Sequence, residues 1–522
     1  MSQDNIRFVH RGQIVSVRVD DPTTSVLSWL RERAHCMGTK EGCNEGDCGA
    51  CTVIVGELVD APNEHDGSAS SERHPALRLL PVNACIQFLP TLHGKALLTV
   101  EDLQGQHPAQ HALVACHGSQ CGFCTPGFVM TLAALHQRHG LAGTQPTRAA
   151  LADELSGNLC RCTGYRPILD AGQKMFEQPA PAIDSAPILA ALLSLRAEPA
   201  LSVNGYRAPC SLDELAELVL QQPLQQPQAR LLAGGTDIGV WVNKQFRDLG
   251  NLIYLGRVTE LQGIERRADA LQIGAGASLT DAWDALAQQW PALREMGLRF
   301  ASPPVRNAGT VGGNLANGSP IGDCAPVLMA LGASLLLRRG GATRSVPLDD
   351  FYTGYLTNRL QPGEFVQTIV VPVQAEPAPS GTAADQPHNQ PLDQPRSKLR
   401  THLRAYKLSK RFDSDISGLA AGLWLCLDGA IVVDARFAFG GMAACVQRAT
   451  QAEAAVRGQP WSQATARAAM TALDADFQPL SDLRASASYR QRAARNLLQR
   501  FWLETRTNVP LAADDVSVWA PR

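Results

Sequence analysis

Residues 6–19, IRFVHRGQIVSVRV, alternate apolar and polar positions on either side of a His-Arg-Gly-Gln turn, the period-two pattern of two paired strands. The spacing turns helical over Thr24 to Arg33, passes through a loop crowded with glycine and cysteine, and returns to a strand at Thr52 to Val55. This predicts a small α+β unit with a loop wrapped around something. From about 108 to 178 the spacing is helical. Thr125-Pro126 predicts a helix start, with the helix running through His139, because proline at the first helical position gives up no hydrogen bond and threonine accepts from the open amides. Thr147 opens a second helix, Arg148 to Leu155, which Gly157-Asn158 ends. Further along, Ser211-Leu-Asp-Glu214 reads as a capping box for a helix through Leu220, and a strand at Arg230 to Ala233 follows.

Two stretches cannot build a core. Glu177 to Pro187 and Val373 to Lys398 are rich in proline and poor in bulky residues, and predict a linker and an insert. The longest apolar runs, Val327 to Leu337 and Leu419 to Leu427, fall far short of the roughly 20 residues of a spanning helix. The first residues lack the basic start, apolar core and small-residue cleavage site of a secretory signal. These features predict a cytoplasmic chain without a membrane partner. At roughly 150 residues per domain, 522 residues predict three or four folded units. With 47 basic against 49 acidic side chains the net charge is −2, which excludes a nucleic-acid partner held by basic charge.

Fourteen cysteines change the picture, because ten of them precede residue 177. In a reducing compartment such a concentration means metal or redox chemistry rather than disulfides. Cys43, Cys48 and Cys51 have the C-x4-C-x2-C spacing of plant-type [2Fe–2S] proteins, and Cys85 is the candidate fourth thiolate. Gly42, Gly46 and Gly49 let the backbone close around a flat cluster and offer it amides. A structural zinc site is the alternative, although zinc more often takes paired C-x2-C arms. The second set, Cys121 and Cys124 with Cys160 and Cys162, lies at helix ends, where amides favour thiolates. Four sulfurs also suit a tetrahedral zinc ion, and spacing leaves both readings open. Cys36, Cys116, Cys210, Cys324, Cys426 and Cys445 are expected to be structural thiols.

The strand at 230–233 feeds Gly234-Gly235-Thr236-Asp237, a turn whose bare amides and hydroxyl suit a pyrophosphate. A second run, Asn307 to Asp323, is dense in glycine, asparagine and hydroxyls and reads as too polar for a core. An ordinary surface loop is the plain alternative, but two such loops beside iron–sulfur motifs point to a redox nucleotide.

Together these motifs resemble the molybdenum hydroxylase family. QCGFCTPG and NLCRCTGY are similar to its iron–sulfur domains, and LLAGGTDIGV with NAGTVGGNLANGSPIGD to its FAD domain. The order, both iron–sulfur domains and then the flavin domain on one chain, resembles the small subunits of bacterial xanthine dehydrogenases. The resemblance implies a multidomain α+β fold. Its parts are a β-grasp ferredoxin-like domain (1–95), a helical-bundle [2Fe–2S] domain (96–178), a linker (179–197), a vanillyl-alcohol-oxidase-type FAD domain (198–375), a Pro/Gln-rich insert (376–398) and a C-terminal α+β domain (399–522). It assigns the second cysteine set to a [2Fe–2S] cluster. It places flavin contacts on Leu231, Leu232, Ala233, Gly234, Gly235, Thr236, Asp237 and Ile238, then on Phe300, Thr310, Val311, Gly312, Gly313, Asn314, Asp323, Val366 and Lys407.

The implied activity is electron transfer from a molybdenum centre, through the cluster on Cys121 and then the one on Cys43, to FAD and NAD+. Nothing up to Arg522 resembles the molybdopterin-binding domains, so a large partner subunit in an α2β2 heterotetramer is implied, oxidising hypoxanthine and xanthine to urate. No side chain of this chain is expected to act as a catalytic acid or base. The segment HDGSASSERHP between Cys51 and Cys85 and the 376–398 insert depart from the family pattern. The competing readings are the equivalent subunit of an aldehyde or heteroaromatic oxidoreductase, and a non-enzymatic zinc and nucleotide-binding scaffold.

Overall fold

A computed structural model describes residues 5–62, 73–177, 183–221, 229–373 and 399–516. The HDGSASSERHP segment, apart from its last residues, and the 376–398 insert lie outside the described residues. Two compact units form: residues 1–260 with 278–281 and 301–310, and residues 261–277 with 282–300 and 311–522.

The first unit opens with the expected hairpin, β1 (Asn5–His10) and β2 (Gln13–Arg18), followed by helix α1 (Val26–Glu32). β3 (Thr52–Pro62), β4 (Arg73–Asn83) and β5 (Ala96–Leu98) complete a mixed five-stranded sheet in the order β2-β1-β5-β3-β4. β1 and β5 run parallel and the other pairs antiparallel. Both faces of this sheet are covered. Phe8, Val53, Val55 and Leu97 enter one core, while Val9, Ile54, Ala96 and Leu98 enter a second, so successive residues of a strand are buried on opposite sides.

The second core belongs to a helical bundle: α2 (Pro108–Ala115), α3 (Thr125–Leu141), α4 (Arg148–Glu154), α5 (Arg166–Lys174) and α6 (Ser185–Leu195). The helix α6 corrects the linker expected over 179–197. Asp184 caps it, and Ile188, Leu192 and Leu195 are buried in the bundle core. A second correction concerns α3. Cys124, not Thr125, occupies its cap position, and the Thr125 hydroxyl bonds instead to Ser119 Oγ at 2.7 Å.

The first core extends into a four-stranded sheet, order β6-β7-β9-β8, made by β6 (Leu201–Val203), β7 (Tyr206–Ala208), β8 (Arg230–Leu232) and β9 (Leu252–Tyr254). Between these strands lie α7 (Leu212–Gln221) and α8 (Ile238–Gln245). The capping box of α7 is shifted: Ser211 Oγ accepts from Glu214 N–H at 3.2 Å, but the Glu214 carboxylate reaches Cys210 N–H at 2.8 Å.

In the second unit, β10 (Ile264–Arg266), β11 (Ala270–Gly274), β12 (Ser334–Arg339) and β13 (Ala342–Pro347) form a sheet with the strand Phe365–Pro372 at its centre, all pairs antiparallel. A separate sheet from Arg400–Leu408, Leu419–Asp428, Ile431–Gly440 and Gln447–Arg448 is covered by helices Thr450–Val456, Gln463–Asp476 and Ala487–Thr505. The run Leu419–Leu427 is therefore a strand buried along its length. Among the described residues no helix is long and apolar enough to cross a membrane.

Candidate functional site

The eight cysteines of the two motifs all lie in the first unit and approach in pairs. In the first set, Cys43 N–H donates to Cys48 Sγ and Cys48 N–H to Cys43 Sγ, both at 3.3 Å, while Asp47 N–H reaches Cys43 Sγ at 3.4 Å. The neighbouring Cys48 thiol, with these amides, pushes the Cys43 thiol down to about 4 against the opposing effect of burial. Cys51 pairs likewise with Cys85, which lowers the Cys51 pKa and raises that of Cys85. In the second set Cys124 pairs with Cys160, and Cys121 with Cys162. Burial and then Cys160 push the Cys124 thiol up to about 12. Cys51 and Cys85 are buried, whereas Cys121 and Cys162 are exposed.

A binuclear iron–sulfur cluster needs this donor set, two thiolates for each of two irons. Among the described residues, no three His, Cys, Asp or Glu side chains are grouped as a single metal ion requires. The loop geometry agrees with the glycine-rich sequence. A Cβ on Gly42 would stand 2.8 Å from Cys48 Sγ, and Gly49, at φ +70°, has no room for one because the Gly157 carbonyl lies 2.1 Å away.

The two sets are tied by a buried polar node that the motifs alone did not single out. Asn158 Nδ2 donates to the Gly49 carbonyl and to Thr52 Oγ1, each at 3.1 Å, and its Oδ1 accepts from Thr131 Oγ1 at 2.7 Å. Beside it, Leu159 N–H donates to the Cys48 carbonyl at 3.0 Å. The available signal was the adjacency of Asn158 to Leu159-Cys160. Of the remaining cysteines, Cys36, Cys324, Cys426 and Cys445 are buried, whereas Cys116 and Cys210 are only partly covered.

The residues expected at a flavin divide between the units. In the first unit Leu231 and Leu232 end β8, Ala233 to Asp237 form the turn, and Ile238 begins α8. The Leu232 side chain is wholly in the core. Gly234 is required by packing, because a Cβ there would meet the Ala308 carbonyl at 1.9 Å, and Gly235 is required by its φ of +72°. Burial raises the Asp237 pKa. Thr310 pairs with Ser278 in an isolated bridge.

In the second unit Val311, Gly312, Gly313 and Asn314 open the short helix Val311–Ala316, with Val311 and Leu315 buried. The 307–323 run is thus not simply a polar loop. Its apolar residues recur at i and i+4 and anchor a helix that its asparagine and glycine content obscured. Asn314 Oδ1 is buried without a hydrogen-bond partner, an acceptor fit for a donor on a bound group. Lys407 Nζ and Asp323 Oδ2 lie 2.5 Å apart, both buried, and Ser417 Oγ donates to Asp323 Oδ1 at 2.5 Å. Ser417 is an addition that spacing could not supply. Phe300 packs against Trp283, and Val366 is buried in its strand opposite Leu337.

Four family models match the chain. They are a 2Fe-2S iron-sulfur cluster binding domain over 8–88, a [2Fe-2S] binding domain over 99–173, the FAD binding domain in molybdopterin dehydrogenase over 201–374, and the CO dehydrogenase flavoprotein C-terminal domain over 404–505. A xanthine dehydrogenase of Emericella nidulans is 29% identical over 98% of this chain and 39% of its own length. One of Drosophila subobscura is 32% identical over 84% of this chain and 34% of its own length. Aldehyde oxidase 2 of Cavia porcellus is 33% identical over 71% of this chain and 31% of its own. Among solved structures, quinoline 2-oxidoreductase from Pseudomonas putida 86 is similar at 25% identity with a TM-score of 0.49, over 59% of this chain and 98% of that one. The chain spans about a third of the length of the curated relatives it matches.

Proposed function

The chain belongs to the molybdenum hydroxylase family, of which it carries the iron–sulfur and FAD-binding portion, and from that premise we propose that it is the electron-transfer subunit of a xanthine dehydrogenase. In this reading it takes electrons from a molybdenum centre on a separate molybdopterin-binding subunit and delivers them to NAD+. The assembly is a cytoplasmic α2β2 heterotetramer that oxidises hypoxanthine and xanthine to urate. The observation that carries the reading is the pairwise approach of eight thiols as two sets within one folded unit, joined by the Leu159 N–H on the Cys48 carbonyl.

Cys43, Cys48, Cys51 and Cys85 would hold one [2Fe–2S] cluster, and Cys121, Cys124, Cys160 and Cys162 the other. When bound, the clusters supply one-electron carriage and the flavin two-electron storage with hydride release. The chain's own residues position and shield. Amides of Asp47 and Cys48 turn toward Cys43 Sγ, burial screens Cys51 and Cys85, and the exposed Cys121 and Cys162 leave the second set open on one side. The flavin contacts are those the resemblance named, with Asn314 offering its unpaired acceptor and Asp323 and Lys407 a neutral ion pair.

Xanthine is favoured as substrate because a xanthine dehydrogenase aligns with 98% of the chain and the aldehyde oxidase with 71%. The second reading, the equivalent part of an aldehyde oxidoreductase, rests on the 33% identity of that aldehyde oxidase. The test is activity with and without the partner. The chain alone is expected to oxidise NADH with an artificial acceptor and to leave xanthine untouched, and with its partner to reduce NAD+ on xanthine. Aldehyde turnover without xanthine turnover would select the second reading. A colourless protein holding only zinc would remove both.

A further inference from the structure

Cys160 differs from the thiols of the first set in what donates to it. Its Sγ accepts from Cys162 N–H at 3.4 Å and from the Thr163 hydroxyl at 3.3 Å. The first-set contacts at Cys43 and Cys48 come from backbone amides, which every residue but proline supplies. A side-chain hydroxyl can be tuned by substitution.

The orientation of that hydroxyl is over-determined. Tyr165 N–H donates to Thr163 Oγ1 at 3.1 Å, which engages the acceptor side of the oxygen and leaves its one proton for Cys160 Sγ. Tyr165 itself is held at φ +69°, a left-handed conformation that a bulky residue adopts only when its surroundings impose it. Its phenol oxygen accepts from Cys160 N–H at 3.1 Å. One strained residue therefore fixes both the sulfur-bearing residue and the hydroxyl aimed at the sulfur.

We propose that Thr163 is a positioning residue that sets the reduction potential of the second cluster, through a hydroxyl hydrogen bond to Cys160 Sγ. The proposal rests on the reading that Cys121, Cys124, Cys160 and Cys162 hold a [2Fe–2S] cluster. Reduction adds one electron and no proton to the centre, and the electron comes from the partner in turnover or from dithionite in a titration. The added negative charge strengthens a hydrogen bond to a thiolate sulfur, so the bond favours the reduced form and raises the potential. Thr163 thereby gives the second centre a term that the first set's amide contacts do not contain.

The test is a dithionite titration of the full chain with its native clusters, followed by electron paramagnetic resonance, in wild type, Thr163→Val and Thr163→Ser. Valine keeps the shape and removes the proton, and serine restores the proton. The valine variant is expected to shift the reduction equilibrium of the second cluster roughly tenfold toward the oxidised form, about 59 mV for a one-electron couple. Serine should return it to near wild type, and the first cluster should not move. A second-cluster midpoint unchanged in valine, or lowered equally in serine, would overturn the proposal while leaving the cluster reading intact. A wild-type chain with no second signal would overturn both. If valine prevents cluster assembly, Thr163→Ala takes its place in the same titration. An alanine midpoint below that of Thr163→Ser supports the proposal, and equal midpoints refute it.

Discussion

Asn158→Ala perturbs the joint between the two thiol sets, and its cost follows from the hydrogen bonds it removes. The side chain is 1% exposed and makes three of them, to the Gly49 carbonyl, Thr52 Oγ1 and Thr131 Oγ1. At about 0.5–1.5 kcal/mol net for each, their loss amounts to roughly 2–4 kcal/mol. The cost stops there because the partners keep other bonds. The Gly49 carbonyl still accepts from Thr52 N–H at 3.1 Å and from the Thr52 hydroxyl at 2.7 Å, and the Thr131 hydroxyl, its proton released from Asn158 Oδ1, can turn it to the Gly127 carbonyl 3.3 Å away.

The loss falls on residues 48–52 and 157–160, so it is read locally, by hydrogen exchange of peptides from those segments with 419–440 as the internal control. With about 1.4 kcal/mol per tenfold, protection should fall roughly 30- to 700-fold in the first two segments and remain unchanged in the control. Exchange within about threefold of wild type at 48–52 and 157–160 would refute the reasoning, because the node would then carry no load. Asn158→Asp should do at least as much damage, since it turns a carboxylate oxygen toward the Gly49 carbonyl in place of an amide donor.

Cys43→Ser should abolish one iron–sulfur signal and preserve that of the Cys121 set in electron paramagnetic resonance; retention of both signals would overturn the assignment of Cys43. Lys407→Met leaves Asp323 buried without its cation, which costs about 3–5 kcal/mol. The second unit's thermal transition should therefore fall, with partial recovery in Lys407→Met/Asp323→Asn, and equal loss in both variants would contradict the ion-pair account. Burial, then the positive Arg257 and Arg7, push the His93 imidazole down to about 4, and burial beside His136 and His111 does the same at His107. Both groups titrate near 6.5 when unfolded, so the unfolded chain binds more protons between about pH 6.5 and 4. Stability of the first unit should accordingly fall as pH drops through that window and level off below it. Urea midpoints against pH check this, and His93→Gln should flatten the slope.

The parts of this molecule legible in the sequence are those whose partners are near in the chain. The β1–β2 hairpin, the Thr147 cap with its 3.2 Å bond to Ala150 N–H, and the Cys43–Cys51 loop are local patterns, and local chemistry was enough to read them. Where a residue's surroundings come from far away, the pattern misled. The stretch at 179–197 looked like a linker because its prolines stand out, yet Ile188 and Leu192 share a core with Val9 and Ile54. The 307–323 run looked like a loop because glycine and asparagine outnumber the two apolar residues that bury its helix.

The same distinction separates the visible part of the site from the hidden part. The thiols announced themselves by spacing, while the groups that hold them in place are identified by partners such as Gly49, 109 residues from Asn158, and Asp323, 94 residues from Ser417. Thr163 falls between these cases. It sits one residue from Cys162 in the motif, but what distinguishes it from an ordinary loop threonine is the left-handed Tyr165 that takes up its lone pair. Spacing therefore locates the thiols that we propose hold the electron carriers, and the backbone strain beside them locates the side chain whose removal should change a potential while leaving those thiols in place.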